Sequence, residues 1–183
     1  MRWSDRDVLG QDRLAGEEEY IVKNCLVIID VQRGFLTDDT DFVPRKIRQF
    51  TESMNFDHIV ATRFINTQDS PHYFFTNWKK MMDPESQRLD EFVASISEKV
   101  FDKNINSCFG EEFVTFLREN DITKLFFVGI DTDCCVMKSA FDCFDRRIPF
   151  EVLTECCAST GGKNIHEAAC EIMKRNMGLD IVK

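Results

Sequence analysis

The stretch KLFFVGIDTDCCVMKS, residues 124–139, decides the fold. Leu125-Phe126-Phe127-Val128 is an unbroken apolar run that closes at Gly129, the pattern of a strand covered on both faces. Asp131, Thr132 and Asp133, all favourable helix N-cap types, follow at once, and then Cys134 and Cys135. The segment reads as a buried strand turning directly into a helix. A cysteine in the first turn of a helix lies in the positive field of the helix N-terminus, which favours thiolate over thiol. Free backbone N–H groups of the same turn can bind an oxyanion. One short stretch therefore offers both a nucleophile and a place for developing negative charge. The plain alternative is a strand–helix junction in which two cysteines only pack.

Working outward, the same alternation recurs. Tyr20–Asp30 reads as a first strand centred on residues 25–29, CLVII, and residues 43–54 as a helix. His58–Ile65 is a second strand, and residues 66–72 a loop broken by Pro71. Helical segments are expected near 75–82 and 86–96, and a third strand over Glu98–Lys103. Gly110–Asn120 reads as a helix, Lys124–Ile130 as the fourth strand and 133–146 as the helix after it. Pro149–Thr154 is a fifth strand, Asn164–Met177 a helix, and Leu179–Val182 a short final strand. Continuous apolar strands alternating with helices predict a parallel, doubly wound sheet in a three-layer α/β/α sandwich. Residues 1–20 read as a polar, acidic N-terminal arm, and residues 21–183 as a single domain.

Composition narrows the function. The net charge of −9 argues against nucleic acid or an anionic membrane as the main partner. No apolar run approaches the roughly 18 residues of a membrane span, and the first twenty residues lack the apolar core of a secretory signal. The eight cysteines form no C-x-x-C pair and have no zinc-finger spacing to the three histidines. A reducing, cytoplasmic setting without a disulfide framework is expected.

In parallel α/β sheets, ligands bind outside the carboxyl ends of the strands. Asp30 ends the first strand, Arg63 lies near the end of the second, Lys103 ends the third and Cys134-Cys135 follow the fourth. An acid, a base and a thiol thus converge on one sheet edge. Asp30 directly follows four apolar residues, and a poorly hydrated carboxylate suits general acid–base work. Lys103 is either a solvated surface lysine or a cation that stabilises thiolate. The choice between Cys134 and Cys135 depends on which one points back into the crevice. A tyrosine-phosphatase reading needs an arginine six residues after the cysteine, where Ala140 and Phe141 stand. A Cys/His protease reading finds no supporting pattern around His58, His72 or His166.

Three motifs together resemble the isochorismatase-like cysteine hydrolases, which include nicotinamidases, N-carbamoylsarcosine amidases and ureidoacrylate-type amidases. They are LVIIDVQRGF at 26–35, KNINSCF at 103–109 and GIDTDCCV at 129–136. The resemblance runs from about residue 24 to 178, with TECCAS and the His166-Glu167 pair in the last helix. It implies Asp30 as catalytic acid/base, Lys103 as catalytic lysine and Cys135, directly before Val136, as nucleophile. It also implies a non-proline cis peptide at Ile130–Asp131, with the Asp131 and Cys135 N–H groups forming an oxyanion hole.

One departure bears on metals. Nicotinamidases bind a metal through a segment of the form D-x-H-P-x-x-H after the second strand, where this chain has TRFINTQDSPHYF. Asp69 and His72 remain as candidate ligands, but their spacing differs and the other histidines are missing, so no metal and no cofactor is expected. The expected activity is cleavage of a C–N bond in a small amide or carbamoyl compound through a thioester. Arg63 is a candidate for binding a substrate carboxylate, and Phe35 and Trp78 for lining the pocket. The alternatives are a vinyl-ether hydrolase of isochorismatase type, which need not use the cysteine, and a non-catalytic binding or regulatory protein on the same fold. The resemblance further implies a homo-oligomer, either dimer or tetramer.

Overall fold

A computed structural model describes residues 22–183; the expected arm at 1–20 lies outside the described residues. The strands are β1 (Asn24–Ile29), β2 (His58–Phe64), β3 (Lys99–Lys103), β4 (Lys124–Ile130) and β5 (Phe150–Ala158). They form one sheet in the order β3-β2-β1-β4-β5, and every pairing is parallel. The helices are α1 (Val43–Ser53), α2 (Pro71–Thr76), α3 (Pro84–Gln87), α4 (Glu91–Ile96), α5 (Glu111–Glu119), α6 (Met137–Asp145) and α7 (Lys163–Met177).

Side-chain alternation along β1 explains the three layers. Cys25, Val27 and Ile29 enter one core with residues of α5, α6 and α7. Leu26 and Ile28 enter the other, against Val43 and Ile47 of α1 and Val93 of α4. Both faces are covered, which is why the strand reads as an unbroken apolar run. Strand order reverses between β1 and β4, and in such sheets the crevice at that switch holds the ligand. The two strands meet tightly there. Ile29 pairs with Gly129, and a Cβ on Gly129 would lie 2.1 Å from the Ile29 carbonyl oxygen. Gly129 also has φ +125°, a conformation open to glycine.

Several elements differ from expectation. Pro71, read as a breaker, instead starts α2, since proline suits the first helical turn. Left-handed Asn77 ends that helix, so the helix expected at 75–82 lies earlier in the chain. The helix expected at 86–96 is two. Asp83 caps α3 by accepting from the Ser86 N–H, and Asp90 caps α4 by accepting from Phe92 and Val93. β5 runs on through Thr154 and Glu155 to Ala158. The final strand reduces to one bridge, Val152 with Val182.

Candidate active site

β1 ends at Ile29, and the next residue, Asp30, is fully buried. By simple alternation its side chain would face the α1/α4 layer, like Leu26 and Ile28. Asp30 instead adopts a left-handed backbone, φ 51°, uncommon outside glycine and better tolerated by aspartate than by most residues. Its carboxylate thereby meets Thr62 and Lys103, which share the sheet face of Val60 and Phe101. The Thr62 hydroxyl donates to Asp30 Oδ1 at 2.7 Å and accepts the Asp30 N–H at 3.2 Å.

Lys103 is the centre of the cluster. Its Nζ donates to Asp30 Oδ2 at 2.6 Å and to Cys135 Sγ at 3.3 Å. The Ile105 and Asn106 carbonyls lie within reach at 3.0 and 3.4 Å. Only 7% of the lysine side chain is exposed. Burial alone would push this ammonium down, but the Asp30 carboxylate and the Cys135 sulfur outweigh it, and the net shift is upward. The following loop is held on α6 by the Cys108 N–H, which donates to the Ser139 hydroxyl at 3.1 Å.

Cys135 sits in a single wide turn, Thr132–Val136, between β4 and α6. The Asp131 carbonyl accepts both the Cys134 and the Val136 N–H at 3.1 Å; the second bond spans five residues, a π-type closure. The Ile130–Asp131 peptide is cis. The Asp131 carboxylate accepts the Thr160 N–H at 2.5 Å and the Thr160 hydroxyl at 3.0 Å, tying the turn to the loop after β5. Of the adjacent cysteines, Cys135 contacts Lys103, while Cys134 packs at the edge of the α5/α6/α7 core.

The thiol electrostatics differ from the helix-field expectation. The neighbouring Cys134, burial and the Asp30 carboxylate raise the Cys135 thiol well above its ordinary value, with Lys103 opposing them. Cys134 is lowered to about 7, chiefly through its interaction with Cys135 and against burial. Cys135 thus lies beside the buried Asp30–Lys103 pair, in surroundings that favour its thiol form. At Cys135 the field of a helix N-terminus is outweighed by the Cys134 interaction, burial and the nearby Asp30 carboxylate.

The other expected residues divide. Phe35 and Trp78 stack with ring centroids 6.3 Å apart and both pack around Phe64. The Phe64 ring lies 5.2 Å from Lys103 Nζ, so this aromatic cluster flanks the lysine. Arg63 is not brought to the cluster. Its guanidinium is engaged by Asp102 through bonds of 2.7 and 2.8 Å, and strand alternation places both residues on the opposite sheet face from Thr62 and Lys103. Asp69 is exposed. His72 Nε2 is 2.7 Å from Asn106 Oδ1. Among the described residues no three His, Cys, Asp or Glu side chains group as a metal site.

Thr62, Phe64 and Asn106 escaped the sequence reading, and Gln32 entered it only as a member of the motif at 26–35. Thr62 and Phe64 were within reach, because they alternate at the carboxyl end of β2 on the face that Lys103 occupies. Gln32 is buried and brackets Phe64, accepting its N–H at 2.7 Å and donating to its carbonyl at 3.0 Å. Nothing local in the sequence marks that role.

A parallel sheet with an acid, a lysine and a cysteine gathered at its switch point defines the class, an isochorismatase-like α/β/α hydrolase fold. Solved structures agree. An isochorismatase-like hydrolase from Alkaliphilus metalliredigens matches with TM-score 0.73 at 15% identity, over 84% of this chain and 92% of that one. The Bacillus subtilis nicotinamidase matches with TM-score 0.71 at 21% identity, over 86% and 97%. The N-carbamoylsarcosine amidase of Thermoplasma acidophilum matches with TM-score 0.71 at 20% identity, over 88% and 96%. No curated protein matches significantly in sequence. The isochorismatase domain profile matches residues 24–182, and the chain belongs to the isochorismatase family.

Proposed function

We propose that the protein is a cysteine hydrolase that cleaves the C–N bond of a small amide or carbamoyl compound. The observation carrying this reading is Lys103 Nζ bridging buried Asp30 and Cys135. A thiol needs a base at the moment of attack, and Asp30 is the carboxylate of the cluster. In the proposed cycle Asp30 takes the Cys135 proton as Sγ attacks the carbonyl carbon. Lys103 stabilises the developing thiolate, and the Asp131 and Cys135 N–H groups hold the tetrahedral oxyanion. Asp30 then gives its proton to the leaving nitrogen, leaving a thioester on Cys135. Water, deprotonated by Asp30, hydrolyses that thioester, releasing the acid and returning the proton to sulfur. Phe35 and Trp78 wall the substrate site. No metal and no cofactor enters the cycle.

Among the described residues no helix is long and apolar enough to cross a membrane. We further infer one catalytic domain preceded by a polar arm, working as a cytoplasmic homo-oligomer on a small-molecule substrate.

The test is ammonia release from a panel of small primary amides and N-carbamoyl compounds, run on wild type, Cys135→Ala, Cys134→Ala and Asp30→Asn. Loss of turnover in Cys135→Ala and Asp30→Asn, with Cys134→Ala active and all variants folded, is the expected result. Full turnover in Cys135→Ala overturns the thioester. Hydrolysis of a vinyl ether that survives Cys135→Ala but not Asp30→Asn assigns the isochorismatase-type reaction instead.

A further inference from the structure

The turn that carries Cys135 is anchored to the C-terminal segment at two points. One is the Asp131–Thr160 pair. The other is Thr132, the first residue of the turn and fully buried. Its hydroxyl lies 2.8 Å from Nδ1 of half-buried His166, in the first turn of α7. The far nitrogen of the same ring, Nε2, lies 3.6 Å from Cys170 Sγ one helical turn on. Both contacts are satisfied when Nδ1 accepts the Thr132 O–H and Nε2–H points to the Cys170 sulfur, the neutral tautomer. Burial lowers the His166 pKa, against the charges of Glu167 and Asp133, which also favours that neutral form.

We propose that His166 is a positioning residue for the Cys135 nucleophile, acting through the Thr132 hydroxyl. The inference rests on the reading of Cys135 as nucleophile. Its physical basis is that Thr132 stands three residues before Cys135 in a turn closed by the Cys134 and Val136 N–H groups on the Asp131 carbonyl and by the Met137 N–H on the Thr132 and Cys134 carbonyls. Its buried hydroxyl ties the start of that turn to α7. A β-branched side chain with a fixed hydroxyl has little freedom at χ1, so holding Oγ1 also holds the Thr132 backbone. His166 is not expected to touch substrate or to transfer a proton. Cys170, packed behind the ring, fixes its orientation.

The experiment measures second-order alkylation of Cys135 by iodoacetamide at fixed pH, by peptide mapping of the full chain. Cys143, buried away from the Lys103 cluster, serves as an internal reference. His166→Leu and the near-isosteric Thr132→Val should each slow Cys135 labelling about 10-fold, since displacements of an ångström at a reacting group cost up to about 100-fold. Cys143 labelling and melting behaviour should stay near wild type. His166→Asn places an amide where Nδ1 stood and should restore the rate to within about threefold. His166→Gln reaches the Nε2 position instead and should not. The Leu and Val changes combined should be no worse than either alone, because they cut the same link.

Additive effects, or equal failure of His166→Asn and His166→Gln, overturn the inference while leaving the nucleophile intact. Full amide turnover in Cys135→Ala overturns the nucleophile reading, and this inference with it. If His166→Leu does not fold, Thr132→Val and the Asn/Gln pair decide the matter by the same criteria.

Discussion

Replacing Lys103 by methionine keeps most of the side-chain volume and removes the charge that neutralises Asp30. In the wild type each Asp30 oxygen has a strong partner, Thr62 at 2.7 Å and Lys103 at 2.6 Å. The variant leaves a fully buried carboxylate with one hydroxyl. Removing one member of a buried ion pair costs about 3–5 kcal/mol. For a domain of this size each kcal/mol moves Tm by about 2–4 °C, so a fall of about 6–20 °C is expected. Adding Asp30→Asn removes the stranded charge, and the double variant should regain at least about half of the loss. The pH dependence follows from the upward shift of Lys103. A folded-state lysine pKa above the unfolded value stabilises fully below the unfolded pKa, about 10.4, and loses that contribution only as pH rises through the folded value. The Lys103→Met deficit should therefore stay level between pH 7 and 9. Circular-dichroism melts of wild type, both single variants and the double variant supply the numbers. A Lys103→Met deficit below about 1 kcal/mol, or a double variant equal to the sum of the singles, would refute the buried-pair reasoning.

Gly129→Ala sets a Cβ 2.1 Å from the Ile29 carbonyl at a φ of +125°; a loss above about 4 kcal/mol, seen as a lost cooperative melt, is expected. Arg63→Ala breaks only the half-exposed pair with Asp102, so stability should change by no more than about 1 kcal/mol and KM should hold; a large rise in KM would return Arg63 to the substrate site. His166 has a lowered folded-state pKa, so its contribution is present above the ordinary histidine value of about 6.5 and is lost as pH falls through the folded value. Between pH 7.5 and 5.5 the wild-type Tm should therefore drop further than that of His166→Asn, and parallel curves would show that His166 does not titrate in this window.

The sheet and its helices were legible because their signals are local. Leu26–Ile29 and Leu125–Val128 are apolar on both alternating faces, and only a strand covered by helices on both sides uses such a run. The carboxyl-end rule then turned the position of Asp30, Lys103 and Cys135 in the chain into a position in space. Where local signals compete, the reading slipped. Pro71 starts a helix as readily as it breaks one. Asp83 and Asp90 each cap a helix of their own, which a continuous helical pattern across 86–96 conceals. The polar Thr154 and Glu155 hide the length of β5, whose pairing with β4 continues beyond them.

The sequence by itself determined the parallel α/β/α architecture, the sheet edge that gathers the acid, the lysine and the thiol, and the family. Those properties follow from the period of apolar residues and from motifs a few residues long. Tertiary structure decided the rest. It turned Asp30 across the sheet through a left-handed backbone, brought Thr62 to its other oxygen and committed Arg63 to Asp102 on the far face. It also raised the Cys135 thiol, because the Cys134 contact, burial and carboxylate proximity outweigh there the helix field that the sequence suggested. Distances between residues 73 and 105 positions apart, as for Lys103 with Asp30 and Asp30 with Cys135, depend on how strands stack and how far loops reach. No local window of sequence carries that information.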